Sequence, residues 1–390
     1  MSIDKKVKFL ENISYIGAGD LKGGYRDKVI ALSKRINEFT LISPINSDER
    51  EIRGEKVYIT PLNILFLESL SFNIKLLLKR FHKRNIDIIM TSNPFYLPSA
   101  FIIKLKSKSK PKLILEVITL PVGWTGFFLV LTKLIFDFII YLSRYFCDGI
   151  IVQSQNLENY IYRIIGNKIP IKTIYPGVDC NRFNPNNIPY EDIENLKKSL
   201  NIPLENVIVM YHGAISIGRG IDTMIKSFSE VLKKDSKVSF IIIGDGNYLD
   251  KAKNLVKRLG IEEHMLILGS VPFPKLPEYI ALADICIVPL PENNNWSISY
   301  KLLESMAMAK PVIATDINVN RIVDPESRYC YFVPPDDPIA MGNAIIYLIK
   351  EKDRRKSMGI KAREYIKENF TWEKCVDLTL EFIENLKRNG

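Results

Sequence analysis

The sequence has no clustered cysteines, little histidine and no uninterrupted apolar run long enough to cross a bilayer. Its 390 residues include five cysteines, Cys147, Cys180, Cys286, Cys330 and Cys375, with no Cys-x-x-Cys spacing and no pairing rhythm. That pattern argues against a disulfide framework and for a reducing compartment. The three histidines, His82, His212 and His264, are too dispersed to form a metal site visible in sequence. The nearest approach to a membrane span, Phe127 to Phe146, is interrupted by Lys133, Asp137 and Arg144, and a span needs roughly 20 apolar residues. The first residues, Met1-Ser2-Ile3-Asp4-Lys5-Lys6, lack the apolar core of a signal peptide, so a cytoplasmic setting is expected. There is no tandem repeat and no low-complexity segment.

What is present is a chain long enough for two ordinary domains, with 47% hydrophobic residues to fill two cores. A net charge of +10 favours an anionic partner: a nucleoside diphosphate, a phospholipid surface or nucleic acid. The basic residues gather in two places. Lys75, Lys79, Arg80, Lys83 and Arg84 lie beside the apolar stretch Leu62 to Leu78, which reads either as a basic amphipathic segment at a membrane face or as an ordinary surface helix. Lys104, Lys106, Lys108, Lys110 and Lys112 read as a solvated helix end and loop.

Short apolar runs recur at helix-length intervals. In the first half they are 13–16, 39–43, 57–60, 86–91, 113–119, 149–153 and 171–175. In the second half they are 207–211, 238–244, 265–268, 285–289, 312–315 and 331–333. Many are apolar throughout, as parallel strands covered on both faces should be. Helical patterns separate them at 22–35, 157–165, 220–234, 249–259 and 339–351, which predicts two α/β halves. The polar stretch Asn181 to Leu204 is the expected boundary, giving domains 1–185 and 186–368 and a final helical segment at 369–390.

Candidate chemistry concentrates where strands give way to helices, because ligands of parallel α/β sheets bind beyond the carboxyl ends of the strands. The run Ala283-Asp284-Ile285-Cys286-Ile287-Val288-Pro289 is followed by a polar loop and by Lys301-Leu302-Leu303-Glu304. Lys301 and Glu304, three apart, share a helix face, and an amine with a carboxylate there suits a sugar bearing a diphosphate. Either Ser297 or Ser299 is placed to cap that helix, leaving its first N–H groups for phosphate. Upstream, Tyr211-His212-Gly213-Ala214-Ile215-Ser216-Ile217-Gly218-Arg219-Gly220 offers Arg219, whose planar fork grips two phosphate oxygens. Ile243-Gly244-Asp245-Gly246 and Gly269-Ser270-Val271-Pro272 end further strands. Near the N-terminus, Gly17-Ala18-Gly19-Asp20-Leu21-Lys22-Gly23-Gly24 joins a strand to a helix, where backbone N–H groups can approach an anion or simply make a turn. A dinucleotide fingerprint would need glycine at position 22, which is lysine.

In order and spacing these segments resemble the nucleotide-sugar-dependent, retaining glycosyltransferases of family 4 (group 1), over nearly the whole chain. The resemblance implies the GT-B fold: two Rossmann-like, doubly wound domains facing across a cleft, with a last helix crossing back after Phe370-Thr371-Trp372-Glu373. It implies that Arg219, Lys301 and Glu304 are the catalytic group, with the two cations on the donor diphosphate and Glu304 on the nucleotide ribose. It implies donor contacts from Gly23, Gly24, Gly213, Gly244, Asp245, Gly246, Val271, Ser297 and Ser299. It implies no metal and no cofactor. The partners it implies are a nucleoside-diphosphate sugar and a glycan or lipid-linked acceptor, with no nucleic acid; the basic cluster at 75–84 beside Leu62 to Leu78 separately suggests a peripheral contact with an anionic membrane. The placing is cytoplasmic, or at the cytoplasmic membrane face.

Two departures stand out. The first glutamate of the family's acidic pair falls on Trp296, so Ser297-Ile298-Ser299-Tyr300-Lys301 resembles a variant subgroup with Lys-x-x-Glu. A family histidine near Ile118 is missing too, leaving Glu116 and Thr119 as substitutes. The rival readings are a catalytically silent nucleotide-sugar binder and a nicotinamide oxidoreductase.

Overall fold

The computed structural model describes residues 12–16, 24–43, 51–59, 68–79, 85–121, 126–294 and 296–388. The chain divides into two compact units, one formed by Met1–Tyr175 with Trp372–Gly390 and the other by Pro176–Thr371. The first unit thus ends at Tyr175 and not at residue 185. Backbone pairing explains the difference. The Val178 N–H donates to the Phe370 carbonyl (2.9 Å), and Val178 bridges to Thr371. Arg363 then donates to the Phe183 carbonyl and to Asn184 Oδ1, both at 2.8 Å. Residues 176–184 are therefore tied to the second unit.

In the first unit seven parallel strands, β1 (Asn12–Ile16), β2 (Glu38–Ser43), β3 (Glu55–Tyr58), β4 (Ile88–Thr91), β5 (Lys112–Val117), β6 (Gly149–Val152) and β7 (Ile171–Thr173), run in the order β3-β2-β1-β4-β5-β6-β7. In the second unit six more, β8 (Val207–His212), β9 (Val238–Ile243), β10 (Met265–Gly269), β11 (Ile285–Val288), β12 (Val312–Thr315) and β13 (Cys330–Val333), run in the order β10-β9-β8-β11-β12-β13. Every residue of β9, β11 and β12 is buried, which is why these strands carry no alternation. In both sheets the first strand is flanked by strands reached in opposite directions. Such a reversal leaves a crevice at the carboxyl ends of the two central strands. In the second unit those strands are β8 and β11.

The last helix, Trp372–Arg388, belongs to the first unit. Trp372, Val376, Leu380 and Ile383 form its buried stripe at helical spacing, and it packs on the helix Gly24–Lys34. Trp372 is a core residue, 1% exposed. In the same unit Lys28 and Glu116 form a buried ion pair, and the Tyr25 hydroxyl donates to the same carboxylate at 2.8 Å. Glu116 is therefore engaged within the core, which removes it as a stand-in for the missing histidine. The basic run at 104–112 is not wholly solvated either. Lys104 donates to Asp148 (2.5 Å) and to the Phe146 carbonyl (3.1 Å), and Lys112 lies 3.6 Å from Asp148.

The helix Tyr300–Ala307, which carries Lys301 and Glu304, ends in a tight reversal. The Ala309 N–H donates to the Met306 carbonyl and the Lys310 N–H to the Ser305 carbonyl, both at 3.0 Å. This is a Schellman closure, and its left-handed position is filled by Ala309 (φ 55°) where glycine is usual. The helix Lys352–Asn369 crosses that closure at Gly359, where an added Cβ would stand 2.0 Å from the Ala309 carbonyl oxygen. We expect Ala309→Gly to raise unfolding stability by roughly 1 kcal/mol by relieving the left-handed strain. Gly359→Ala should lower it by about 1–3 kcal/mol by forcing the helices apart. Urea unfolding of both variants reads the two opposite signs.

Candidate active site

Glycines bring three loops together at the carboxyl ends of β8, β9 and β11. Gly213 (φ 126°) follows β8 and Gly244 (φ 142°) follows β9. An added Cβ at Gly244 would stand 1.9 Å from the Gly213 carbonyl oxygen, so only glycine allows this approach. The Gly213 N–H donates to the Ile243 carbonyl (2.9 Å) and the Gly244 N–H to Gly269 (2.8 Å). Asp245 is exposed, its Oδ1 accepts from the Gly246 N–H (2.7 Å), and its carbonyl accepts from Ile215 (2.9 Å). On the other side, Gly220 (φ 71°) packs so closely on β11's end that an added Cβ would meet the Pro289 carbonyl oxygen. Asn294 donates to the Gly218 carbonyl at 2.8 Å. The loop that carries Arg219 is thus clamped from both flanks.

Lys301 enters this crevice from the helix Tyr300–Ala307. Its side chain is buried, and its Nζ donates to the Tyr211 hydroxyl at 2.9 Å while standing 4.2 Å from the Tyr211 ring centroid. Gly213 makes room for it, since a Cβ there would lie 3.0 Å from Lys301 Cε. Burial and the nearby Arg219 charge push the Lys301 ammonium down to about 7, against the pull of Glu304 in the other direction. Two cations brought this close destabilise one another, an arrangement that an anion between them relieves.

Glu304 sits one turn on, buried, with its carboxylate 3.5 Å from His212 Nδ1. His212 Nε2 lies 3.0 Å from Ser305 Oγ. Burial and then the Lys301 charge push the His212 imidazole down to about 3, so the ring is neutral near pH 7. Tyr211, His212 and Ser305 were not singled out from the sequence. Tyr211 and His212 end β8 immediately before Gly213, a position that could have marked them.

The structure therefore brings Arg219, Lys301, Glu304, Gly213, Gly244, Asp245 and Gly246 to one end of one sheet. Val271, half-buried, follows β10, and Ser297, half-buried, lies in the loop after β11. Ser299 does hold the N-cap position, but its side chain makes no cap hydrogen bond; its backbone carbonyl accepts from the Leu302 N–H (3.0 Å). Trp296 is half-buried in the same loop. Gly24 opens the helix of the first unit, and Gly23 lies outside the described residues.

Residues 26–182 match the family described as Glycosyltransferase Family 4, and residues 206–351 match the Glycosyl transferases group 1 family. The chain belongs to the group 1, family 4 glycosyltransferases. Among its relatives, the N-acetyl-alpha-D-glucosaminyl L-malate synthase of Bacillus anthracis is 25% identical over 59% of this chain and 57% of its own length. A GDP-mannose-dependent alpha-(1-6)-phosphatidylinositol monomannoside mannosyltransferase of Mycobacterium tuberculosis is 23% identical over 60% of this chain and 61% of its own. The chain thus spans little more than half the length of these curated relatives. The fold is GT-B, as in solved neighbours. The Rickettsia africae glycosyltransferase aligns at TM-score 0.77 and 19% identity over 98% of this chain and 100% of its own. Anabaena HepE with UDP and glucose aligns at TM-score 0.78 and 17% identity over 96% and 100%.

An anion bound between Arg219 and Lys301 favours charged Lys301, so its binding should take up a proton when the pH is above about 7. Affinity for a diphosphate anion should then fall as the pH rises from 7 towards 9, where free Lys301 loses its proton. Calorimetry in two buffers of different ionisation enthalpy reads the proton uptake directly. Equal heats in both buffers at pH 8 would show that Lys301 does not meet the anion.

Proposed function

We propose that the protein transfers a sugar from a nucleoside-diphosphate sugar to a glycan or lipid-linked acceptor with retention, as a hexosyltransferase. The observation that carries this reading is the approach of Arg219 to buried Lys301 at the switch point of the second sheet, with Glu304 one turn further along the same helix. The two cations neutralise the donor diphosphate, so the reading includes no metal ion and no other cofactor. Glu304 accepts hydrogen bonds from the ribose. Cleavage of the glycosidic bond moves negative charge onto the diphosphate, where fixed cations stabilise it most in the transition state. In a front-face transfer the leaving phosphate oxygen takes the acceptor's proton, so no enzymic base is required and the loss of a histidine near Ile118 is tolerated. The Gly213, Gly244 and Gly246 loops, with Asp245, Val271, Ser297 and Ser299, line the donor. Gly23 and Gly24 would serve the phosphate and acceptor. The Lys301-x-x-Glu304 pattern supports a variant subgroup that lacks the first carboxylate of the acidic pair, with Trp296 in that position bearing on sugar choice.

The Anabaena neighbour is described in complex with UDP and glucose, and the Mycobacterium relative as GDP-mannose-dependent, which supports a nucleotide-sugar donor here. Trp296 favours one second reading, a nucleotide-sugar binder without turnover. Donor consumption in the presence of acceptors separates the two.

UDP or GDP should raise the melting temperature and NAD should not, since a ligand of the folded state stabilises it by mass action. Stabilisation by NAD alone would overturn the donor assignment. Arg219→Ala and Lys301→Met should lower kcat strongly with modest effect on folding. Glu304→Gln should weaken nucleotide binding about tenfold or more, because a hydrogen bond to a charged acceptor contributes roughly 1.5–3 kcal/mol and acts before and during reaction. Calorimetric titration paired with donor turnover reads both. Parental behaviour in all three variants would place the site elsewhere.

A further inference from the structure

The helix Gly126–Phe146 has one face in the core and the other bare. Phe136, Ile140 and Ser143 are buried. On the opposite side Val130 (58% exposed), Leu134 (61%), Phe138 (61%), Tyr141 (40%) and Tyr145 (62%) form a continuous line at helical spacing. A surface helix of a soluble domain normally turns charged residues to solvent, and an exposed apolar row of this length marks an interaction site. The helix has one acidic side chain, Asp137, and its Oδ1 accepts a hydrogen bond from the Tyr160 hydroxyl at 2.5 Å. Its cations are placed differently. The Arg144 guanidinium stacks 4.0 Å and 4.7 Å from the rings of Tyr141 and Tyr145 and donates to both hydroxyls. Lys168 is near enough to Tyr145 for its charge to be felt there.

We propose that this face docks on an anionic phospholipid bilayer. The apolar row enters the boundary between headgroups and acyl chains. Tyr141 and Tyr145 lie at headgroup level, as amphipathic rings do, and Arg144 with Lys168 meets the lipid phosphates. A second helix repeats the pattern: Glu68–Leu78 exposes Leu70, Ile74 and Leu78 beside exposed Lys75 and Lys79. Both helices pack on the short turn Pro94–Tyr96. This extends the expected basic segment, whose remaining residues 62–67 and 80–84 lie outside the described residues. Among the described residues no helix is long and apolar enough to cross the bilayer, in keeping with a helix that lies in the interface. A second copy of the chain fits the face less well. In a two-fold pairing this face would meet its own copy, and Arg144 would find no free carboxylate on the facing helix, whose one acidic side chain, Asp137, already accepts from Tyr160.

The surface argument stands apart from the donor site; only its consequence, a membrane-borne acceptor, rests on the glycosyltransferase reading. The test is sedimentation of the whole chain with phosphatidylglycerol-containing vesicles and with phosphatidylcholine vesicles, at low and high salt. The expected result is binding to the anionic vesicles that weakens as salt rises. It should fall about tenfold or more in Leu134→Gln with Phe138→Gln, and not in the control Ile339→Gln, an exposed position in the other unit. The substituted residues are exposed, so folding should survive, and an unchanged UDP-induced melting shift verifies it. Absent vesicle binding, or binding that the double variant leaves intact, overturns the proposal. So does a dimer that the same double variant dissolves, which would assign the face to a second copy. Because the UDP shift is read independently, failure here leaves the donor site unaffected, and failure there leaves this surface standing.

Discussion

A buried ammonium must find compensating charge or give up its proton, and the chain contains both outcomes. Lys28 and Lys301 are both buried lysines, one on the helix after β1 and the other on the helix after β11, from which its side chain reaches Tyr211 of β8. Burial pulls each towards the neutral form. At Lys28 the Glu116 carboxylate more than offsets that pull, with two tyrosine hydroxyls on the same carboxylate, so the ammonium is held above its ordinary range. This pair is closed and belongs to the core. At Lys301 the nearest charges are a repelling Arg219 and a more weakly felt Glu304, so the ammonium drops to about 7. Taking a charge out of water without full compensation is costly. The second unit carries that cost at the place where a parallel sheet leaves its crevice, which is the physical reason to read Lys301 as binding a ligand and Lys28 as holding the fold.

The backbone around Lys301 keeps the cost local. Gly213, Gly220 and Gly244 all have positive φ and all lie where an added Cβ would strike a neighbour, two of them a backbone oxygen at under 2.0 Å. Their removal would not merely loosen a loop; it would separate the end of β8 from β9 or from β11. The backbone that carries Arg219 is held by the packing of its neighbour Gly220 on Pro289. Close backbone packing of this kind fixes the ends of β8, β9 and β11 relative to one another, the preorganisation that an electrostatic site requires.

Much of this was legible in the residues. The buried strands announce themselves as unbroken apolar runs, and Val312–Thr315 and Leu249–Leu259 agree with the expected bounds to the residue. Strand ends drifted where apolar residues continue past the last ladder bond, as at Ile118 and Thr119 after β5. The site's glycines and its Lys-x-x-Glu pattern were also readable, because chain order alone places them at the carboxyl ends of strands. What could not be read was contact across the sequence. Nothing local in Glu116 reveals that Lys28, far away in sequence, neutralises it, and nothing in the lysine run at 104–112 points to Asp148. The unit boundary lies ahead of the asparagine-rich stretch for the same reason: by composition that stretch reads as a linker, but Arg363, distant in sequence, donates to Phe183 and Asn184. Of Ser297 and Ser299, either of which suits a helix cap by residue type, Ser299 takes the N-cap position without a side-chain cap hydrogen bond.

His212 shows how such a hidden contact changes the chemistry of a residue that was legible. Glu304 could be picked out by spacing, but its usefulness depends on whether its charge is already cancelled. An imidazolium beside it would form a closed pair like that of Lys28 and Glu116. Burial and the Lys301 charge hold His212 neutral instead, down to about 3. A neutral ring has one donor and one acceptor nitrogen. With the Glu304 carboxylate beside Nδ1 and Ser305 Oγ beside Nε2, the proton belongs on Nδ1 and the hydroxyl donates to Nε2. The ring then orients the carboxylate without neutralising it. Lys301, itself buried beside a repelling Arg219, is thus also a cause, after burial, of the neutral His212 ring, and it stands one helical turn from Glu304.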